Sequence, residues 1–547
     1  MNDEDTRKAV CKEVLSKLTE SSDKELDINK LKLESSRRYK LELIPKNSDI
    51  LSLASSEDFH KLLPSLQLKK VRSISGVNII SVMSHPRECP HGRCAYCPLV
   101  EGVPSSYTGK EPAAMRGIQN EFDPYRQVKS RLDQLKAIGH SINKIELIVQ
   151  GGTFPASPIE YQRSFIKGCL DAITNKPSSS LEDAINKATI SENKNVGITL
   201  ETRPDYATKK EVDNMLSMGV TRVEVGVQTL YNDVYDLVER GHDVETVAKA
   251  FQILKDSGLK IVAHMMPGLP GSAPERDLKA FERLFDDPSF KPDMLKIYPC
   301  LVLEGAKIHD WWLKGSYHPY ELEQTIDLIA KIKNKVPPWI RIMRIQRDIP
   351  AQLIVSGVKK GNLRELVLKK MKDKDLTCNC IRCREIGHRL MKGEKIPEPE
   401  DLKIITRTYE ASNGEEIFLS VEDPNSRFLI GYTRLRIPSE KAYRKEIAGK
   451  NAGLIREIHV LGPLVPVGEK DPLLWQHRGY GTTLLNKAEE IALNEYDCKK
   501  MLVTSALGSR RYFMKLGYSL EGPYMSKKIQ DIIPENDIED SRSEKTD

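Results

Sequence analysis

CPHGRCAYCP, residues 89–98, sets Cys89, Cys94 and Cys97 within nine positions, in a chain of 547 residues that holds only ten cysteines. A lone cysteine is usually a small buried apolar side chain, but chance rarely packs three so closely. Two chemistries use such a C-x4-C-x2-C trio. A structural zinc ion takes four protein ligands, and His85 or His91 stands near enough in sequence to supply the fourth. A [4Fe–4S] cluster held by three thiolates leaves one iron open to an outside ligand. The trio alone does not choose between them, so the choice falls to its surroundings.

Outward from the trio, apolar runs alternate with amphipathic ones. The runs are VNIISVMS (77–84), KIELIVQGG (144–152), VGITLETRP (196–204), RVEVGVQT (222–229), KIVAHMMPGLPG (260–271), MLKIYPCLVL (294–303) and WIRIMRIQRD (339–348). Helical patterns such as PIEYQRSFIKGCLDAI and VETVAKAFQILKDSG fall between them. Continuous apolar strands separated by amphipathic helices predict six or seven parallel β/α units, hence an open, partial barrel in an α/β chain. In such barrels chemistry sits in the loops after strand C-termini, and the cysteine loop follows the first strand.

Composition fits a soluble protein of several domains, since the length exceeds what one core supports. Charged residues make up 30%, and the formal net charge is only +6. No run of eighteen apolar residues occurs, and the polar start MNDEDTRKAVCKEVL is neither a signal peptide nor a span. A cytoplasmic protein with no membrane partner is expected. Its thiols stay reduced there, so clustered cysteines point to metal or catalytic chemistry rather than disulfides. A second cluster, CNCIRC, holds Cys378, Cys380 and Cys383, three soft ligands on a short loop.

The C-terminal third changes character. REIHVLGPLVPV (456–467) reads as a strand with a breaking Gly-Pro. QHRGYGTTLLNKAEEIALNEY (476–496) then places Gln476-x-x-Gly479-x-Gly481 at the start of an amphipathic helix. Backbone N–H groups at such a start suit a pyrophosphate. CKKMLVTSALGSRRYFMKLGY (498–518) adds a strand and a helix.

Three cysteines after strand one and glycines after strand two resemble the radical S-adenosylmethionine (SAM) enzymes, with one residue more than their usual C-x3-C-x2-C. The glycine loop and its flanking strands resemble the GNAT acetyltransferases. With IQRDIP (345–350) and GNLREL (361–366) between them, the stretch from about 65 to 528 resembles the catalytic subunits of the Elongator family, in its prokaryotic, archaeal form. The resemblance implies 5-carboxymethylation of the tRNA wobble uridine, built from acetyl-CoA with SAM radical chemistry. Carbon 5 of uracil carries no leaving group, and acid–base groups do not activate an acetyl methyl, so a cofactor has to supply the reactivity. The anticodon stem-loop of tRNA and an electron donor are the implied partners. Other Elongator-type subunits are not required in a prokaryotic form.

The implied layout is a basic, tRNA-contacting region over 1–75 and a radical SAM domain over 76–350. A zinc-containing linker follows over 351–400, then a GNAT domain over 401–530 and an acidic tail over 531–547. Implied cluster ligands are Cys89, Cys94 and Cys97, with Gly151 and Gly152 at the methionyl end of SAM. Glu457, Ile458, His459 and Val460 match the strand that pairs with pantetheine, and Gly479, Tyr480, Gly481 and Thr482 match the pyrophosphate loop. Tyr512 and Phe513 fall near the acetyl group, where many relatives carry two tyrosines, and Tyr512 is the candidate acid. Lys144 matches the barrel lysine that reaches acetyl-CoA and is the second catalytic candidate. Cys300, with His388 as its rival, is expected to complete a closed zinc site with Cys378, Cys380 and Cys383. The two domains are expected to face each other across one shared cleft with the uridine between them.

Between Lys331 and Arg389, sixteen Lys/Arg stand against five Asp/Glu, which suits a groove facing phosphates. KLKLESSRRYK (30–40) is a second basic patch. From Glu535 to Asp547 six acids against two bases, without apolar pattern, predict disorder. The competing function, a GNAT protein-lysine acetyltransferase with a structural metal-bound barrel, leaves the first trio without a task.

Overall fold

The computed structural model describes residues 3–20, 27–41, 44–51, scattered positions between 53 and 66, 76–462 and 479–529. The acidic tail and Gln476 lie outside the described residues. Helices Asp3–Glu20 and Ile28–Arg38 share a small core of their own around Val10, Cys11, Val14 and Leu31. Cys11 is thus a packing residue.

Seven parallel strands form the first large sheet, in the order β1 (Val77–Met83), β2 (Lys144–Gln150), β3 (Lys194–Thr202), β4 (Arg222–Gln228), β5 (Lys260–Met265), β6 (Met294–Ile297) and, after a short β7 (Val302–Leu303), β8 (Arg341–Ile345). The sheet is open, because β1 and β8 are its two edges. This is the partial barrel expected from the apolar runs. Helices such as Ile159–Thr174 and Val244–Asp256 cover its outside, burying Phe165, Ile166, Cys169, Phe251 and Leu254 against the strands. β7 pairs antiparallel with β9 (Ile354–Ser356) as a small separate ladder.

The second sheet runs β10 (Lys403–Ala411), β11 (Gly414–Glu422), β12 (Leu429–Ile437), β13 (Ala452–Val460), β14 (Lys500–Val503), β16 (Tyr524–Lys528) and β15 (Ser519–Glu521). Only β13 and β14 pair in parallel, and their pairing ends at Ile455↔Val503. Beyond that point residues 456–460 splay away from β14. A bulge opposite Arg434/Leu435 marks the start of the splay.

This second sheet docks under the barrel, at the N-terminal ends of its strands. Arg456 donates to the carbonyl of Leu259 (3.1 Å), and Tyr524 donates to the carbonyl of Ser257 (3.0 Å), both just before β5. Arg434 donates to the carbonyl of Trp339 (2.8 Å), just before β8. Between the domains Lys255, Arg434, Arg436 and Arg456 meet Asp256, Asp293, Glu416 and Glu457. Apolar residues of the second domain, including Leu454, Leu502, Leu507 and Tyr524, belong to the same packed core as the barrel. The two domains are therefore one structural unit.

Candidate active site

The loop after β1 folds the first cysteine trio over the C-terminal end of the barrel. Cys94 and Cys97 are buried, and Cys89 is half-buried. His91 Nε2 lies 3.1 Å from Cys94 Sγ, Arg240 Nη1 donates to the same sulfur at 3.6 Å, and Ser106 Oγ lies 3.1 Å from Cys97 Sγ. Cys94 and Cys97 share a hydrogen bond that favours the thiolate of Cys94. Despite burial, that bond, His91 and Arg240 hold the Cys94 thiol down to about 2, while Cys97 is pushed well up. Thiolate character is what an iron ligand needs.

Under this loop lies a cavity of about 910 Å³. Its walls include the three cysteines, Gly152, Glu201, Glu224, Gln228, Arg240, His264 and Tyr298. His91 Nδ1, Glu224 Oε1, Gln228 Oε1 and Arg240 Nε are buried there without a hydrogen-bond partner. Unmet buried polar atoms around an enclosed space are the signature of a polar guest. Gly151, at φ +134°, follows β2 and precedes the wall residue Gly152, and a Cβ there would stand 2.0 Å from Ser84 Oγ. Only glycine fits, which leaves bare backbone beside the cavity. The thiols, the bare backbone and the unmatched polar atoms fit an iron–sulfur cluster with SAM.

The wall that the barrel interior contributes to the cavity is polar. Along β4, Arg222 and Glu224 share one face by period-two spacing, and Gln228, beyond a bulge after Gly226, also lines the cavity. Glu224 accepts from His264 Nε2 (2.8 Å) and pairs with Lys296. Burial would raise the Glu224 carboxyl, but Lys296 and His264 outweigh it and hold it well below the carboxylate range. Tyr107 donates to Glu201 (2.7 Å), and Arg222 pairs with Glu146. Sequence reading passed over Glu201, Glu224, Arg240, His264 and Lys296. The available signal was a charge at alternate positions inside otherwise apolar strands, as in RVEVGVQ and MLKIYP.

Lys144 opens β2 at the opposite end of the strand from Gly151. Its register partner Lys194 touches the second domain, where a Cβ on Gly508 would meet Lys194 Cα at 2.9 Å. Burial lowers the Lys144 amine from its ordinary value. Seven residues of strand at about 3.3 Å each separate Lys144 from Gly151 by roughly 23 Å. The shared cleft anticipated above is thus corrected. The second domain does not face the cysteine loop. It closes the far end of the barrel, and the polar interior lies between the two.

In the second domain Gly479, at φ +85°, precedes the helix Tyr480–Asn494. Thr482 Oγ1 lies 3.4 Å from the Tyr512 hydroxyl, and a Cβ on Gly481 would approach that hydroxyl to 3.3 Å. The same Cβ would stand 3.7 Å from Val460 Cγ2, so the helix start and the splayed end of β13 adjoin. Ile458 and Tyr480 pack on the domain core, and the His459 ring lies 5.9 Å from that of Tyr432. This splay, with helix N–H groups at one end and Tyr512 beside it, fits a pantetheine pyrophosphate. Phe513 departs from expectation. It is 2% exposed and packs edge-on against Tyr518, so it is a core residue rather than a wall of the groove.

The second trio converges. Cys378, Cys380 and Cys383 place their sulfurs within 4.8 Å of one another, a spacing for a single ion. Neither expected fourth ligand joins them. Cys300 is buried with Cys94, Cys97 and Tyr317 in a different apolar cluster, and His388 faces Glu385. Instead Lys333 donates to Cys378 (3.2 Å) and Cys383 (3.5 Å). In the basic linker, Lys359, Lys360 and Lys369 are exposed, whereas Lys370 is engaged with Glu323 and Asp327.

Four family models match the chain in order. They are the ELP3 N-terminal domain over residues 7–74, the Radical SAM superfamily over 83–284, the Radical_SAM C-terminal domain over 292–373 and the Acetyltransferase (GNAT) family over 384–518. The tRNA uridine(34) acetyltransferase of Methanocaldococcus jannaschii is 50% identical over 511 residues, covering 92% of this chain and 94% of that protein. Elongator complex protein 3 of Saccharomyces cerevisiae is 44% identical over 528 residues, covering 94% of each. Among solved structures, Elp3 of Methanocaldococcus infernus, lacking residues 1–46, is similar with a TM-score of 0.75 at 47% identity. It spans 83% of this chain and 100% of that one.

Proposed function

Since the chain belongs to the family of Elongator complex protein 3 and the archaeal tRNA uridine(34) acetyltransferases, we propose that it modifies the wobble uridine of tRNA with a two-carbon unit from acetyl-CoA. The observation that carries this reading is the polar barrel interior lying between two binding sites, one at each end of the same strands. Cys89, Cys94 and Cys97 hold the [4Fe–4S] cluster, and Gly151 and Gly152 present backbone to the methionyl end of SAM. When bound, cluster and SAM supply a strong hydrogen-abstracting radical, which acid–base side chains cannot. Residues 457–460, Gly479–Thr482 and Tyr512 hold acetyl-CoA, and Lys144 stands at its acyl end. Inside the barrel, Glu224 keeps His264 and Lys296 oriented, so the interior stays polar. The product is a 5-carboxymethyl uridine.

The second trio supplies three of the four ligands that a structural zinc ion takes, and zinc held there would tie the linker together. Lys359, Lys360 and Lys369 offer phosphate contacts to the anticodon stem-loop. A reductant external to the chain is needed for the cluster, and no further Elongator-type subunit is. Among the described residues no helix is long and apolar enough to cross a membrane, and tRNA places the enzyme in the cytoplasm.

Acetyl-CoA turnover distinguishes this reading from a protein-lysine acetyltransferase. Release of CoA is expected to rise at least ten-fold when cognate tRNA is added. Turnover indifferent to tRNA, with acetyl groups appearing on protein lysines, would overturn the proposal.

A further inference from the structure

The short linker turn that carries Cys380 and Cys383 also anchors the base of the barrel. Ile381 N–H donates to the carbonyl of Ile340 (3.0 Å), immediately before β8. Arg384 donates to the carbonyl of Pro338 (2.8 Å) and pairs with Glu422 at 2.8 Å. Glu385 forms a bridge with Leu429 of β12, and its buried carboxylate accepts from Arg341 Nη2 at 2.7 Å. One turn thus fixes a barrel strand, a strand of the second domain and the guanidinium between them.

Arg341 is only half served by this arrangement. Its second terminal nitrogen, Nη1, is buried and has no hydrogen-bond partner. A guanidinium stays charged, so an unmet buried N–H on it is costly. The neighbouring Glu457 carboxylate is engaged elsewhere, accepting from Arg434 Nε at 2.9 Å. Arg434 also reaches the carbonyl of Trp339, two residues before Arg341, so it spaces the start of β8 against β13 at Glu457. That part of β13 is the splayed segment, which has lost its β14 partner. On the same segment burial, and with it the charge of Arg341, holds the His459 imidazole below its ordinary value.

We infer that Arg341 is a substrate-contacting residue, whose unmet N–H takes the acyl carbonyl oxygen of acetyl-CoA at the base of the barrel, and that Glu385 is the positioning residue that aims it. The inference rests on the acetyl-CoA reading above. A single N–H suits one carbonyl oxygen, whereas the pyrophosphate is served by the helix start at Gly479–Thr482. The linker trio then has a task beyond stapling, because it sets the turn from which Glu385 projects.

Calorimetric binding without tRNA tests this with two non-hydrolysable probes, acetonyl-CoA, which keeps the carbonyl, and ethyl-CoA, which lacks it. The wild-type protein is expected to prefer acetonyl-CoA by about ten-fold or more, as a hydrogen bond from a charged donor predicts. Arg341→Ala should erase that preference by weakening acetonyl-CoA alone, and Glu385→Gln should reduce it in part. If Arg341→Ala does not fold, Arg341→Lys carries the test, because it keeps the charge but loses the aimed fork. Equal weakening of both probes, or no change in their ratio, would overturn the role of Arg341. Failure of the wild-type protein to bind either probe would instead overturn the acetyl-CoA reading.

Discussion

Replacing Cys94 by serine is expected to reduce SAM cleavage below detection while leaving acetyl-CoA binding at its wild-type strength. Cys94 is the sulfur on which His91 and Arg240 converge, and its thiolate is favoured over that of Cys97. A serine hydroxyl does not deprotonate in this setting and is a poor ligand for iron. With two thiolates the cluster loses an anchor, and Arg240 is left facing an alcohol in a buried site. The groove proposed for acetyl-CoA lies at the other end of the strands and is not touched. Iron content after anaerobic reconstitution, 5′-deoxyadenosine yield and acetyl-CoA titration measure the three consequences. Wild-type iron content in this variant would refute the assignment of the loop.

The largest effect on stability is expected at Asp293, which ties the two domains together. Its carboxylate accepts from Arg456 Nη1 (2.8 Å) and Nη2 (2.5 Å) and from the Ile261 N–H (2.8 Å), and Arg434 stands 3.6 Å away. Burial alone would raise this carboxyl, but Arg456, Lys255 and Arg434 outweigh it and hold it far below the usual range. Asp293→Asn leaves the four cations of the seam facing one carboxylate fewer, and two guanidinium N–H groups facing an amide. Removing one partner of a buried ion pair costs about 3–5 kcal/mol. Urea denaturation should show a loss of that size. A paired change, Asp293→Asn with Arg456→Met, should recover a good part of it, since the uncompensated charge goes with the arginine. A loss under about 1 kcal/mol in the single variant would mean that the seam is solvated rather than buried.

These two sites differ in how far sequence reveals them. The cysteine loop, Gly151 and the seven apolar runs were legible because each is a local pattern: ligand spacing, a steric demand, a period. The seam was not. Arg434 and Arg436 alternate along TRLRI in β12, and they are 1% and 0% exposed. Their partners Asp256 and Asp293 lie more than a hundred residues away, and no local rule pairs them. The same limit applies to the linker trio, whose three sulfurs are close in sequence, while Cys300 belongs to a different part of the fold. The resemblance puts Phe513 near the acetyl group together with Tyr512, but successive residues on a helix point about 100° apart, and only Tyr512 turns toward the helix start at Gly481. The charged barrel interior was visible as isolated charges in apolar strands, but it acquired meaning only once the strands were arranged side by side.

The geometry also limits how the two ends of the barrel communicate. Lys144 and Gly151 lie on the same strand with its full length between them, so chemistry at one end reaches the other only through the interior lined by Glu224, His264 and Lys296 or by movement of the seam. A seam of seven buried charges, with Glu457 half-buried beside them, argues for the interior. The central claim, that one chain joins the two-carbon unit of acetyl-CoA to a tRNA uridine, is tested most directly with acetyl-CoA carrying carbon-13 at both acetyl carbons. Reconstituted protein, SAM, a reductant and tRNA are incubated with it, and the tRNA is digested and its nucleosides weighed. The account predicts a wobble uridine that has gained both labelled carbons, and no such nucleoside with the Cys94→Ser protein. Labelled acetyl groups on protein lysines with unlabelled uridine would contradict it.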